Sequence, residues 1–402
     1  MLKRWNRLET WLTLGVGGIA LALFGLGGLW LYMAATPPIH QSGDSVPASG
    51  DPASSKDWAA AIARAREAAR AGVAAQNLPG ASVAVGVDGA LVWNEGFGFA
   101  DLGARTPVTP GTRFRIGTAS IPLTSAAVGL LLEQKKLDLD EEIQTHVPEF
   151  PKKRWPVTLR QVMAHVAGIP SDSGDEGPLF GEHCDRAVDA LPFFATSDLQ
   201  FEPGTEYRYS RFGWILVSAA VEAAAGDHFL RFMQKHVFDP LGMQDTLSDS
   251  NATQIEHRAT SYFPRFAADP RYGPDPMREA DYSCYSGASV FMSTASDLAR
   301  FAMALRSGKL LQPATVELLQ TEQRLASGAG TGYGLGWDIE EVTIGGTPAR
   351  AIGHDGDLLG GIAVTLMTLP ERQITVVVLS NTSYADTPAI AARIAEAFAT
   401  QP

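Results

Sequence analysis

The stretch RFRIGTASIPLTSAAVGLLLEQKKLDLD, from Arg113 to Asp140, decides the fold of this chain. It joins a short β-prone run and a glycine turn to a long apolar segment that begins near Pro122. Proline suits the first turn of a helix, because its missing N–H would have no partner there. The turn is therefore expected at a helix N-terminus, where unpaired backbone N–H groups stabilise negative charge on a nucleophile.

The stretch resembles the active-site segment of the serine β-lactamase and penicillin-binding-protein-like family, in the branch of class C β-lactamases, esterases and the mitochondrial β-lactamase-like protein. Seven further motifs match that family, namely VPEFP, TLRQVMAHVAGIP, FEPGTEYRYS, FDPLGM, STASDLARF, YGLGW and GHDG, beginning at residues 147, 158, 201, 238, 293, 333 and 353. The resemblance implies an α+β fold like that of β-lactamases and DD-peptidases. In that fold an antiparallel sheet is flanked by helices and carries an inserted helical lobe, which we expect here at about residues 121–306.

The hydropathy pattern agrees with this architecture. Strands from both ends of the chain, with helices between them, favour one antiparallel sheet covered by terminal helices. The predicted elements are a helix over 57–75, strands over 81–88, 90–96, 335–342, 363–368 and 374–379, and a helix over 387–400.

The first catalytic element of the family is Ser-x-x-Lys on the turn, and both chemical residues are changed here. The serine falls on Thr118 and the lysine on Ile121, which cannot accept a proton. None of the eight lysines follows a serine or threonine by three residues, so the motif has not moved elsewhere. Ser120 remains as a further hydroxyl, and we expect it to contribute to substrate binding.

The second and third elements are partly kept. Tyr-x-Asn becomes Tyr209 and Arg211; with no lysine nearby to lower its pKa, the phenol is a poor base. Arg211 is expected to hold a carboxylate of a ligand, since a guanidinium cannot shuttle protons. His-x-Gly is kept as His354 and Gly356. Packing roles in the core and at the sheet edge are the alternatives for Tyr209 and His354, and His165 is expected to be a buried structural residue.

Residues 11–35 contain no charged side chain. As a helix they would reach about 37 Å, enough to cross a hydrocarbon core of about 30 Å. Basic residues precede this segment, so the positive-inside rule places residues 1–10 in the cytoplasm and the body outside. We expect a single-pass anchor in the inner membrane with a periplasmic body. A signal peptide cleaved near Ala34 is the alternative.

Residues 36–56 are rich in Pro, Ser, Gly and Asp, which predicts a flexible linker before a single domain over 57–402. Cys184 and Cys284 are predicted to be separate buried thiols, although export would permit a disulfide. No ligand set at metal spacing occurs in the sequence, so we expect no metal or other cofactor. A net charge of −12 without a basic patch argues against a nucleic-acid partner.

The leading hypothesis is an exported, membrane-anchored member of this family with a degenerate active site and little or no hydrolase activity. Its ligand would be a cell-wall peptide, a D-amino-acid-like ligand, an ester or another protein. The alternative is an active esterase, amidase or peptidase that forms an acyl-enzyme on Thr118 with help from Tyr209 and His354. A purely structural role is a third possibility. The oligomeric state is left open.

Overall fold

The computed structural model describes residues 5–34, 37–50, 55–171, 179, 181–249, 255–266, 268–278, 280–358 and 361–400. The strands of the described residues are β1 Ala48–Gly50, β2 Gly80–Val87, β3 Ala90–Asp101, β4 Thr106–Pro107, β5 Phe114–Arg115, β6 Leu247–Ser248, β7 Tyr262–Pro264, β8 Pro274–Pro276, β9 Phe291–Ser293, β10 Asp338–Ile344, β11 Thr347–Leu358, β12 Ile362–Leu369 and β13 Ile374–Ser380. The helices are α1 Trp5–Ala34, α2 Ala59–Ala75, α3 Ser120–Glu133, α4 Leu159–Met163, α5 Arg211–Ala225, α6 Phe229–Met233, α7 Asp239–Leu241, α8 Ala295–Arg306, α9 Pro313–Leu319 and α10 Thr387–Ala399.

One antiparallel sheet organises the body, in the order β1-β3-β2-β13-β12-β11-β10, with β4 added beside β3. Strands from the start of the chain therefore lie beside strands from its end. The helices α2 and α10 pack together and cover one face, while α8 packs on the other. The predicted α+β fold, an antiparallel sheet flanked by helices, is confirmed.

The side chains of β13 show how the sheet builds two cores. Val376 and Val378 belong to the cluster beneath α2 and α10, whereas Val377 and Leu379 belong to the larger cluster shared with the helical lobe. This follows from the strand period of two, which sends successive side chains to opposite faces. A continuous β-branched run is the expected sequence of a strand buried on both faces.

The helical lobe is smaller than the predicted range of about 121–306. The last helix of that range, α8, packs against β2 and β13 and so belongs to the layers of the sheet. It is amphipathic, with Leu298, Phe301 and Leu305 buried. Helical periodicity identifies such a helix but not the surface that it covers.

Residues 37–50, which we call the strap, correct the prediction of a flexible linker over 36–56. Strand β1 pairs with β3, Val46 is 1% exposed, and the buried His40 ring stacks on Phe99 with ring centroids 5.8 Å apart. These contacts use backbone groups and two side chains, so a composition poor in large apolar residues conceals them. Residues 51–54 lie outside the described residues.

Cys184 and Cys284 form a disulfide, so the prediction of two separate thiols is wrong. Their Cα atoms are 4.9 Å apart although 100 residues separate them in sequence. Neighbouring polar contacts hold the same two loops together: Cys184 N donates to Ser283 Oγ at 2.9 Å, and His183 Nδ1 lies 2.8 Å from Asp281 Oδ2. Spacing along the chain carries no information about such a pairing.

The helix α1 is long and apolar enough to cross a membrane over Gly15–Tyr32. Trp30 and Tyr32 lie at its C-terminal end, where aromatic side chains suit a membrane interface. By length and composition the helix fits either a membrane anchor or a signal sequence.

Candidate active site

The candidate nucleophile lies on the turn that enters α3. A 3₁₀ turn over Gly117–Ala119 follows β5, and Gly117 has a positive φ of 51°, a conformation that glycine adopts at little cost. Pro122 lies in the first turn of the helix, as expected. Thr118 is therefore held at a helix N-terminus, although only 6% of the residue is exposed.

The edge of β11 runs directly against this turn. A Cβ atom at Gly356 would lie 2.7 Å from Ile116 O and 3.2 Å from Ala119 N, so only glycine allows this approach. Thr118 Oγ1 donates a hydrogen bond to the backbone carbonyl of Asp355 at 3.1 Å. The hydroxyl proton therefore points to an acceptor that cannot remove it.

Ser120 and Ile121, the second and third residues after Thr118, face away from this site. Ile121 is fully buried within the hydrophobic core, so an aliphatic side chain fills the place of the family's lysine. Ser120 is also fully buried, and its Oγ accepts a hydrogen bond from Phe291 N at 3.4 Å. The prediction that Ser120 binds substrate is wrong, because the first turn of α3 directs this side chain into the core.

Tyr209 is placed beside Thr118 by the segment that leads into α5. Its hydroxyl is buried and has no well-formed hydrogen bond within the part of the chain that the structure describes. Burial raises the pKa of Tyr209 far above the ordinary phenol value, and the nearby Thr118 hydroxyl and Arg211 charge lower that pKa only in part. Thr118 is close enough to act on the phenol electrostatically but directs its own proton to Asp355. Tyr209 is thus a protonated phenol near neutral pH.

Arg211 begins α5, after Ser210 has capped the helix by accepting a hydrogen bond from Gly213 N. Its side chain is only 6% exposed, and its guanidinium lies over the ring of Tyr285, 5.4 Å from the centroid. Burial raises the pKa of both Tyr209 and Tyr282, and the positive charge of Arg211 lowers the pKa of each in part. Capture of a carboxylate by Arg211 stays a prediction.

His354 occupies β11 next to the Asp355 carbonyl. Its Nδ1 lies 2.6 Å from Asp355 O, and its Nε2 lies 3.1 Å from the Tyr333 hydroxyl. A carbonyl only accepts, so Nδ1 carries the proton and Nε2 accepts from Tyr333. The same carbonyl thus accepts from Thr118 and from His354, and the basic nitrogen of His354 is turned away from the hydroxyl.

Tyr333 and Asp338 complete this network, and sequence reasoning missed both. Tyr333 is 1% exposed, and Asp338 Oδ2 lies 3.9 Å from His354 Nδ1. Tyr333 lies in the matched YGLGW motif, which was the one available signal. Its partner His354 lies 21 residues further along the chain, and the motif itself does not specify a contact.

A cluster of aromatic rings covers the site. His165 packs against Tyr209 and Tyr333 with centroids 4.2 and 4.8 Å away, and Tyr207 lies outermost with 37% exposure. His165 accepts a hydrogen bond from Ser210 N at 3.0 Å. Burial keeps its pKa well below the ordinary value, with a smaller effect from His354. His165 is therefore a neutral, buried residue that supports Tyr209.

Residues 65–401 match the family described as Beta-lactamase. The chain belongs to the β-lactamase family. Among curated relatives, it is 27% identical over 427 residues to the human serine beta-lactamase-like protein LACTB, mitochondrial, covering 84% of this chain and 77% of that protein. It is 27% identical over 304 residues to penicillin-binding protein 4* of Bacillus subtilis, covering 73% of this chain and 66% of the relative.

Solved structures show the same fold. The octameric penicillin-binding protein homologue from Pyrococcus abyssi superposes with a TM-score of 0.70 at 24% identity, covering 82% of this chain and 76% of that one. D-amino acid amidase from Ochrobactrum anthropi SV3 also gives 0.70, at 22% identity over 84% of this chain and 98% of the amidase.

The residues at the positions matched to the β-lactamase family pattern lie close together in this structure. The turn, the glycine of β11 and the tyrosine and histidine positions meet within one site. Thr118 Oγ1, however, donates a hydrogen bond to the Asp355 carbonyl. Of the two candidate bases, Tyr209 is protonated, and both ring nitrogens of His354 have other partners. The described residues contain no group of three or more His, Cys, Asp or Glu side chains that could hold a metal ion.

Proposed function

We propose that this β-lactamase-family protein is a membrane-anchored, exported binding protein with little or no acyl-transfer activity. Acyl transfer in such a site requires a base that takes the hydroxyl proton of the nucleophile as it attacks. The ligand would instead be recognised at the same cleft, through the aromatic cluster and the positive charge of Arg211.

One observation carries this proposal: the Asp355 carbonyl accepts hydrogen bonds from both Thr118 Oγ1 and His354 Nδ1. The candidate nucleophile and the nearest imidazole therefore present protons to the same oxygen rather than to each other. With Ile121 in the position of the lysine, no other proton acceptor is supplied from α3. Loss of a nucleophile–base unit typically costs several powers of ten in rate.

Export is supported by the disulfide between Cys184 and Cys284, since such bonds persist in oxidising compartments. We place residues 1–10 in the cytoplasm and the body on the periplasmic side of the inner membrane, with α1 as an uncleaved anchor. The basic residues before α1 support that orientation. The mitochondrial location belongs to the name of the human relative and does not fix the compartment of this chain.

The ligand that we propose is a small peptide or ester with a free carboxylate, such as a cell-wall peptide. Tyr207 offers the outermost ring for stacking, and Arg211 supplies the charge behind it. The penicillin-binding and D-amino acid amidase names of the similar structures support this class of ligand without specifying it.

A second candidate function is slow hydrolysis through an acyl-enzyme on Thr118. The observation that favours it is the buried Tyr209 hydroxyl, which neighbours Thr118 and lacks a well-formed hydrogen bond in the described chain. A phenolate there would be a base in the right place, but the raised pKa of Tyr209 leaves too little phenolate near neutral pH.

Intact mass spectrometry of the full chain in detergent tests the two functions. The protein is incubated with a penicillin and separately with a fluorophosphonate, beside Thr118→Ala and the double variant Thr118→Ser with Ile121→Lys. We expect no adduct on the native chain and an adduct on the double variant. An adduct on the native chain that is lost in Thr118→Ala would establish a threonine nucleophile and overturn the binding-only function.

A further inference from the structure

The strap holds the body close to the end of α1. Ile39 N donates a hydrogen bond to Asn77 Oδ1 at 2.6 Å, and the buried His40 follows it. Helix α1 ends at Ala34, five residues before Ile39. At about 3.5 Å per extended residue, those five residues span at most about 18 Å. Ile39 therefore lies within that distance of the end of the helix, and Asn77 is its hydrogen-bond partner.

One surface loop meets the same point. The loop over 265–273 connects β7 and β8, and the structure describes its residues 265, 266 and 268–273. Asn77 Nδ2 lies 3.5 Å from the Arg271 carbonyl of this loop. At the start of the loop, the Arg265 guanidinium lies over the ring of Tyr32 at the C-terminal end of α1, 5.4 Å from its centroid. The loop therefore lies beside both the C-terminal end of α1 and the strap.

This loop exposes an aromatic pair without a strong net charge. Phe266 is 40% exposed and packs edge-on against Tyr272 with centroids 6.0 Å apart. The arginines are balanced: Arg265 pairs with Asp275 at 2.9 Å and Arg271 with Asp269 at 2.6 Å. Aromatic rings favour the interface between lipid and water. A surface whose charges are paired can bind there without anionic lipid.

We propose that the strap and the loop over 265–273 seat the body directly on the lipid bilayer that holds α1, with Phe266 in the headgroup layer. The headgroup layer is about 5–8 Å thick, so a tether of this length brings the loop within its reach. This inference rests on the proposed function in one respect, namely that α1 remains attached as an anchor.

The test uses the full chain in nanodiscs of phosphatidylcholine alone, with and without lipid spin-labelled at the headgroup. Both native cysteines are paired, so a fluorophore can be attached at a single introduced thiol. Ala268→Cys reports on the loop. Ala90→Cys is the matched control, exposed at the start of β3 and about 30 Å along that strand from Phe99, which packs on His40 of the strap.

We expect the spin-labelled lipid to quench the label at residue 268 several-fold more than the label at residue 90. Adding Phe266→Ser should reduce quenching at 268, since the aromatic contact is lost. Equal quenching at both positions would overturn the inference while leaving the anchor intact. A chain that fails to remain in nanodiscs because α1 has been cleaved would overturn both the anchor and the docking, and its mass would show this.

A second variant tests the strap itself. Asn77 has a φ of 55°, so Asn77→Gly removes the amide contacts without straining the backbone. Quenching at residue 268 should fall in this variant. Asp88→Gly is the control, with a φ of 51° in the exposed turn between β2 and β3, and it should change nothing. Unchanged quenching in Asn77→Gly would show that the strap does not position the loop.

Discussion

The two walls of the candidate site are built in different ways. The sheet wall consists of the turn over 117–119 and residues 353–356 of β11, and backbone contacts hold it together. The lobe wall consists of Tyr209, Arg211 and Tyr285, and side-chain contacts and the neighbouring disulfide position it. The sheet wall brings Thr118 and Gly356 together mainly through backbone atoms. A backbone frame of this kind therefore depends little on which side chains occupy positions 118 and 121.

Removing the disulfide is expected to have the largest effect, and on the lobe wall. Replacing both Cys184 and Cys284 by serine should lower the free energy of unfolding by about 4 kcal/mol, because the bond closes a long loop in the unfolded chain. Denaturant unfolding followed by tryptophan fluorescence measures the change. The native protein in reducing agent should behave like the double variant. A loss below about 1 kcal/mol would show that the lobe wall does not depend on this bond.

The sheet wall should break at Gly356. An alanine there places its Cβ 2.7 Å from Ile116 O, and backbone cannot yield as a flexible side chain can. We expect a destabilisation of about 3 kcal/mol, typical of an overfilled site. Gly111→Ala is the matched control, since a Cβ there meets nothing within 4 Å. If the two variants unfold at the same denaturant concentration, the tight approach of β11 to the turn is wrong.

Substitution of one tyrosine beside each wall tests the same contrast, with smaller expected changes in the free energy of unfolding. Tyr333→Phe removes the hydrogen bond to His354 and should cost about 1 kcal/mol. Tyr209→Phe removes a buried hydroxyl that lacks a well-formed partner among the described residues, so stability should stay level or rise. Unfolding curves of both variants compare them directly. The opposite order of stabilities would mean that Tyr209 holds the lobe wall through its hydroxyl.

Much of the sheet was predictable from local pattern. The β-branched run over 374–379 predicts β13 to within a residue, because a strand buried on both faces leaves a continuous apolar signature. The meeting of Thr118, Tyr209 and His354 in one site followed from motif resemblance alone. No local period links three positions so far apart in sequence.

Other features left no such signature. The strap is held by backbone pairing and by His40, so its Pro- and Ser-rich composition predicts a loose linker. Tyr333 precedes β10 and His354 lies on β11, and neither motif predicts that the two side chains form a hydrogen bond. The prediction that Ser120 binds substrate failed because its side chain points into the core. Neighbouring positions on α3 point about 100° apart, so an error of one position exchanges the cleft for the core.

Strand β1 also has a consequence for the solubility of the body. It pairs Ala48, Ser49 and Gly50 with Phe97, Gly96 and Glu95, and so occupies the outer backbone groups of β3. At the other border of the sheet, β10 carries the exposed Glu340 and Glu341, charges that discourage pairing with another chain. A chain shortened to begin after residue 50 would leave this part of the β3 border unpaired, and we expect it to aggregate edge to edge.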